Sequence, residues 1–99
     1  MIYHITTAEH FHSFAGKDYY ESPTLHEEGF IHCSTEEQVP GVLQRYFAGQ
    51  TNLFMLVIDA VKLKPKLKIE AASNGELFPH VYGAINKSAI VSVETVGEE

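Results

Sequence analysis

Six consecutive apolar residues, Leu53-Phe54-Met55-Leu56-Val57-Ile58, followed by Asp59, limit the fold of this chain more than any other feature. The run is bounded by turn signals and is too short to span a bilayer, so it predicts a buried central strand. Such a strand needs other elements to cover it. A chain of 99 residues buries roughly 60–70% of the surface its unfolded form exposes, enough for one modest core. The expectation is a single domain over residues 1–99.

The covering elements are legible by their punctuation. Ile2 to Ile5 alternates and predicts a first strand. Thr6-x-x-Glu9 has the form of a capping box opening a helix with Ala8, Phe11 and Ala15 on one face and Gly16 as its stop. Ser22-Pro23 reads as an N-cap with proline at the first helical position, and Gly29 closes that short helix. Phe30 to Cys33 reads as the second strand. Ser34-x-x-Glu37 forms another capping box, and Val39, Val42, Leu43, Tyr46 and Phe47 follow helical spacing up to Gly49. Pro40 should kink or restart that helix. Lys66 to Glu70 alternates, Asn74-Gly75 marks a turn, and His80–Ile85 and Ala89–Val96 read as late strands. Strands outnumber helices, and the helices sit in the first half. The fold class is α+β, with a twisted, mainly antiparallel sheet and two to three short helices.

Charge excludes one family of functions. Seven Lys and Arg against thirteen Asp and Glu leave a net charge of −6, with no basic excess to neutralise the phosphates of a nucleic-acid polymer or an anionic membrane. Lys62, Lys64, Lys66 and Lys68 alternate, which suits a solvated edge strand protected by lysines. Arg45 is the only arginine, so bidentate phosphate recognition must use it or backbone N–H groups. Cys33 is also alone: no intrachain disulfide or cysteine-based zinc cluster can form. The first seven residues lack the basic and apolar regions of a signal peptide, so the expected location is the cytoplasm.

Six histidines are the candidate chemistry. His10, His12 and His26 fall in polar or helical surroundings and suggest no paired site. His4, His32 and His80 each sit in or at the start of a strand beside apolar neighbours, where partial burial keeps imidazole neutral and available for acid–base work. His4-Ile5-Thr6 and His32-Cys33-Ser34 are both His-x-hydroxyl triplets, and strand alternation puts imidazole and hydroxyl on one face. Thr6 and Ser34 are therefore candidate ligand-holding residues as well as helix caps. His80 and Tyr82 share a face in Phe78-Pro79-His80-Val81-Tyr82-Gly83 and form a candidate acid–base or stacking pair; Glu70, which ends an alternating strand, and Glu76, which precedes Leu77, are candidate catalytic carboxylates. Cys33 alternates away from His32 and reads as a buried structural thiol.

Ile2-Tyr3-His4-Ile5, Glu28-Gly29-Phe30-Ile31-His32-Cys33-Ser34 with Gln38, and Phe78-Pro79-His80-Val81-Tyr82-Gly83 resemble the signature blocks of the bacterial domain-of-unknown-function family numbered 952. Leu56-Val57-Ile58-Asp59 and Glu70 are similar to its intervening blocks. Phe11 departs from the pattern where a tryptophan is expected, and Pro40 is atypical. A more distant likeness is to the ADP-ribosyltransferase fold, in which a first-strand Tyr-His-x-Thr-type segment holds NAD. That likeness implies an ADP-ribosyltransferase-like split sheet, Ile2 to Thr6 at the ligand, Phe30 to Ser34 as the second strand, and Glu70, His80 or Tyr82 near the reacting end.

The leading expectation is a small enzyme or binding domain acting on NAD or another ADP-ribose-like nucleotide. His4, Thr6 and Ser34 would hold the ligand, with Ser34 and the helix N-terminus on a phosphate. His32, His80, Tyr82 and Glu70 would form the catalytic end. The alternatives are a two-histidine phosphoesterase, a metal site on His4, His32 and His80, and a non-catalytic binding module. The expected assembly is a monomer or weak homodimer.

Overall fold

The structure, a computed structural model, describes residues 1–97. In chain order the elements are β1 (Ile2–Thr7), α1 (Ala8–His12), β2 (Tyr19–Tyr20), α2 (Leu25–Glu28), β3 (Ile31–His32), α3 (Val39–Tyr46), β4 (Leu53–Ile58), β5 (Lys66–Ala71), β6 (Leu77–Tyr82), β7 (Ile85–Asn86) and β8 (Ile90–Val96). Short 3-10 turns lie at Glu36–Gln38, Ala60–Lys62 and Lys87–Ala89. The class is α+β, and every strand pair is antiparallel.

The apolar run is the centre of the first sheet, whose order is β1-β4-β8. Leu53, Leu56 and Ile58 are fully buried, because β1 and β8 cover both edges of β4 and side chains leave it on both faces. A second sheet has the order β3-β6-β5, and β2 pairs with β7 alone. One main core joins Tyr20, Ile31, Cys33, Leu56, Ile58, Val81 and Ile85. A smaller one gathers Ile5, Val42 and Phe78 beneath α3. Burial pushes the Cys33 thiol up to about 12, which makes it inert packing. Among the described residues no helix is long and apolar enough to cross a membrane.

Several caps lie one residue from where the sequence places them. Thr6 is a buried strand residue, and Thr7 caps α1 by accepting from the His10 N–H at 3.0 Å. The helix ends at His12, short of Gly16. Ser34 is likewise not a cap. Its N–H and C=O bond Tyr3, and the capping box is Thr35 with Gln38. Adjacent hydroxyl residues offer two cap positions in both places: β1 runs on through Thr7, which stands directly before the helix, while Ser34 is taken by its bridge to Tyr3. Ser22 makes no side-chain cap either, and α2 starts after Thr24. Gly29 does close α2, at φ 85°, a left-handed conformation favouring glycine. Pro40 lies in the first turn of α3, restarting the helix after the 3-10 turn as its missing N–H requires. The strand expected over His80–Ile85 begins earlier, at Leu77, and breaks at Gly83, so that Ile85 pairs with Tyr20 instead. Lys62, Lys64, Lys66 and Lys68 are all exposed, the last two on the edge strand β5.

Candidate functional site

Among the described residues the two larger sheets share one backbone bridge. Tyr3 and Ser34 exchange both backbone hydrogen bonds, at 2.8 and 2.7 Å, and there the pairing of β1 with the segment after β3 stops. A continued antiparallel ladder would next set Ile5 opposite His32. Instead the His4 side chain takes the His32 carbonyl, at 2.8 Å from Nδ1. A carbonyl only accepts, so His4 Nδ1 carries the proton and Nε2 is left as an acceptor. The Tyr20 hydroxyl donates to it at 2.9 Å. Burial drives the His4 imidazole down to about 4, offset in part by the bond to His32. Burial also pushes the Tyr20 phenol up, with the Thr6 hydroxyl acting in the opposite sense. His4 is thus a neutral wedge that props the split open. Antiparallel alternation turns the N–H and C=O of Ile5 into that split, and no backbone partner from β3 meets them.

A recess of about 320 Å³ occupies the split, lined by His4, Ile5, Ser22, Pro23, Thr24, His32, Ser34, Val42, Tyr46 and Phe47. Its walls are mostly apolar, and none of these residues carries a full charge at neutral pH. Two buried side-chain atoms among the described residues have no hydrogen-bond partner, Ser22 Oγ and His32 Nδ1, and both residues line this recess. Burial lowers the His32 pKa, and the neighbouring His80 lowers it further, so His32 is neutral at pH 7.

Behind His32 lies a polar group built on β5 and β6. The rings of His32 and His80 meet edge to face with centroids 5.4 Å apart. Glu70 Oε1 accepts from His80 Nδ1 at 2.8 Å and from the Tyr82 hydroxyl. The Tyr82 bond, then the His80 bond, holds the Glu70 carboxyl below its usual range, and Glu70 in turn raises the Tyr82 phenol. Phe30 stacks on His80 at 4.0 Å between centroids, fixing the ring plane. His80 therefore has its Nδ1 proton pinned by a carboxylate, the arrangement that orients an imidazole for proton transfer.

Of the residues singled out from sequence, His4, His32 and Ser34 line the recess, while His80, Glu70 and Tyr82 form the group behind it. Thr6 lies outside the recess, behind His4 beside Tyr20. Two features bear on what this end can hold. The Ser34 N–H is taken by Tyr3 and the Thr35 N–H by Gln38 Oε1, so neither of these two donors is free for a phosphate. Both His4 nitrogens are spent within the protein, and no group of three His, Cys, Asp or Glu among the described residues is arranged for a metal ion. His10 donates to the Glu21 carbonyl and His26 sits exposed beside Glu21. Sequence reasoning passed over Ser22 as a helix cap and passed over Tyr20 altogether. The hydroxyl next to proline was the only signal for the first, and none existed for the second.

An antiparallel α+β chain with a neutral, histidine-edged recess at the split of its sheets defines the class. The family model described as protein of unknown function (DUF952) matches residues 5–93, and the chain belongs to that family. The crystal structure of protein CC0527 from Caulobacter crescentus is similar, at 30% identity and a TM-score of 0.88, covering 99% of this chain and 87% of that one. The solution NMR structure of CC0527 is similar at 30% identity and a TM-score of 0.84, covering 99% and 85%. No curated protein matches the chain.

Proposed function

We propose that this chain binds a NAD- or ADP-ribose-like nucleotide, with the flat base of the ligand in the recess between β1 and β3. The observation that carries the reading is the interrupted ladder. Main-chain donor and acceptor groups of Ile5 and the neutral His32 face a recess with apolar walls, the composition of a small-molecule site. A strand edge left unpaired by β3 offers N–H and C=O side by side, which suits the amide-like edge of a nicotinamide or an adenine. Phosphates belong at the mouth. Arg45 would meet them: its guanidinium carbon is 5.8 Å from the ring centroid of Tyr46, a lining residue. The choice of ligand follows the likeness of Ile2 to Thr6 to the NAD-holding strand of the ADP-ribosyltransferase fold, and His4 would act as a positioning residue for His32.

The Glu70–His80–Tyr82 group favours a second reading, in which the bound nucleotide is also turned over. His32 would meet the ligand, with His80 behind it as the oriented imidazole. Calorimetric titration with NAD and ADP-ribose tests the first reading, and release of nicotinamide from NAD tests the second. Binding at micromolar to millimolar concentration that His32→Ala weakens supports the proposal. Absence of heat and of any resonance shift at millimolar ligand refutes it.

A further inference from the structure

Ser22 is buried, with 6% of its surface exposed, and its hydroxyl has no hydrogen-bond partner. Leaving a buried hydroxyl unpaired costs free energy, and here the fold gets nothing visible in return. The local structural work of Ser22 is done by its carbonyl, which accepts from the Leu25 N–H at 3.3 Å, while the side chain caps nothing. The backbone is anchored and the hydroxyl is idle. A turn about the Cα–Cβ bond breaks no hydrogen bond, and Ser22 lines the recess together with His32, whose Nδ1 is the other buried atom lacking a partner.

We propose that Ser22 is a specificity-determining residue of the recess, its hydroxyl pairing with the polar edge of an uncharged planar ligand group, such as a carboxamide. The proposal rests on the reading of the recess as a ligand site. The uncharged class follows from the walls: Ile5, Pro23, Val42 and Phe47 are apolar, and no lining side chain offers a counter-charge to an ammonium or carboxylate. A group with one donor and one acceptor matches a serine hydroxyl, which can do either, and a neutral imidazole, whose tautomer can adapt.

NMR titration of the full chain with two probes tests this: nicotinamide, and 3-methylpyridine, which has the same ring without the amide. The wild type should bind nicotinamide roughly tenfold more tightly, the scale of one or two recovered hydrogen bonds. Ser22→Ala should remove that preference, leave 3-methylpyridine binding unchanged, and melt no lower than the wild type. A Ser22→Ala protein that melts lower and keeps the preference overturns the proposal, and so does a wild type that binds both probes equally. If neither probe moves the Ile5 or Ser34 amides of the wild type, the ligand-site reading falls and takes the proposal with it.

Discussion

Where the two sheets separate, His4 bonds the His32 carbonyl through Nδ1 and the Tyr20 hydroxyl through Nε2. Tyr20→Phe should strand Nε2 as an unpaired buried acceptor and cost about 1–3 kcal/mol, measured by urea unfolding. The same geometry sets a pH dependence. His4 has a native pKa of about 4 against 6.5 in the unfolded chain, so between those values the unfolded state binds the extra proton. The stability from burying His4 neutral is fully present above pH 6.5 and is lost as pH falls toward 4, by up to about 3 kcal/mol. Unfolding curves at pH 7 and pH 5 should show that loss, and His4→Gln should flatten it; an equal slope in both proteins would place the titration elsewhere. At this scale the sequence placed His4, His32 and His80 in strands among apolar neighbours, and the fold brings the three close together. The sequence was silent on partners, because Tyr20 and the His32 carbonyl are 16 and 28 residues away from His4.

Among the elements, β4 and α3 were the most legible, and for different reasons. An unbroken apolar run has nowhere to go but a sheet centre, and Leu53 to Ile58 lies between β1 and β8. The α3 stripe survived as spacing, while its start moved because a 3-10 turn capped by Thr35 and Gln38 precedes Pro40. Gln38 does more than cap: its amide nitrogen donates to the Leu77 carbonyl at 2.7 Å, tying the helix start to β6. Gln38→Ala should therefore cost about 1–2 kcal/mol, the upper range for a lost cap. Chemical denaturation reads the loss directly; a change within 0.5 kcal/mol, the ordinary range of a surface substitution, would show that the tie is idle. Cap positions were misplaced wherever two hydroxyl residues are adjacent, at Thr6-Thr7 and Ser34-Thr35, because only long-range pairing, of β1 with β4 through Thr7 and of Tyr3 with Ser34, shows where each strand ends.

Across the whole molecule, the net charge of −6 and the neutral recess belong to one picture. Four lysines lie in or before an exposed edge strand, and the one arginine packs on Tyr46, a residue of the recess wall. If phosphates of a nucleotide meet Arg45, Arg45→Ala should weaken ADP-ribose roughly tenfold, in line with loss of a charge-assisted bond, and leave nicotinamide unchanged. Calorimetry at two salt concentrations checks this, since the wild-type affinity for ADP-ribose should fall with salt more steeply than that of the variant. The recess itself could not be read from the chain, because it exists only where a ladder stops, and nothing in local pattern marks the end of a pairing. If this gap is a ligand site with His32 at its edge, the long-range imidazole 1H–15N spectrum of the protein with and without NAD reports it. The ring nitrogens of His32 should shift while those of the exposed His26 stay fixed; a His32 signal unchanged at millimolar NAD would mean that the recess does not hold the nucleotide.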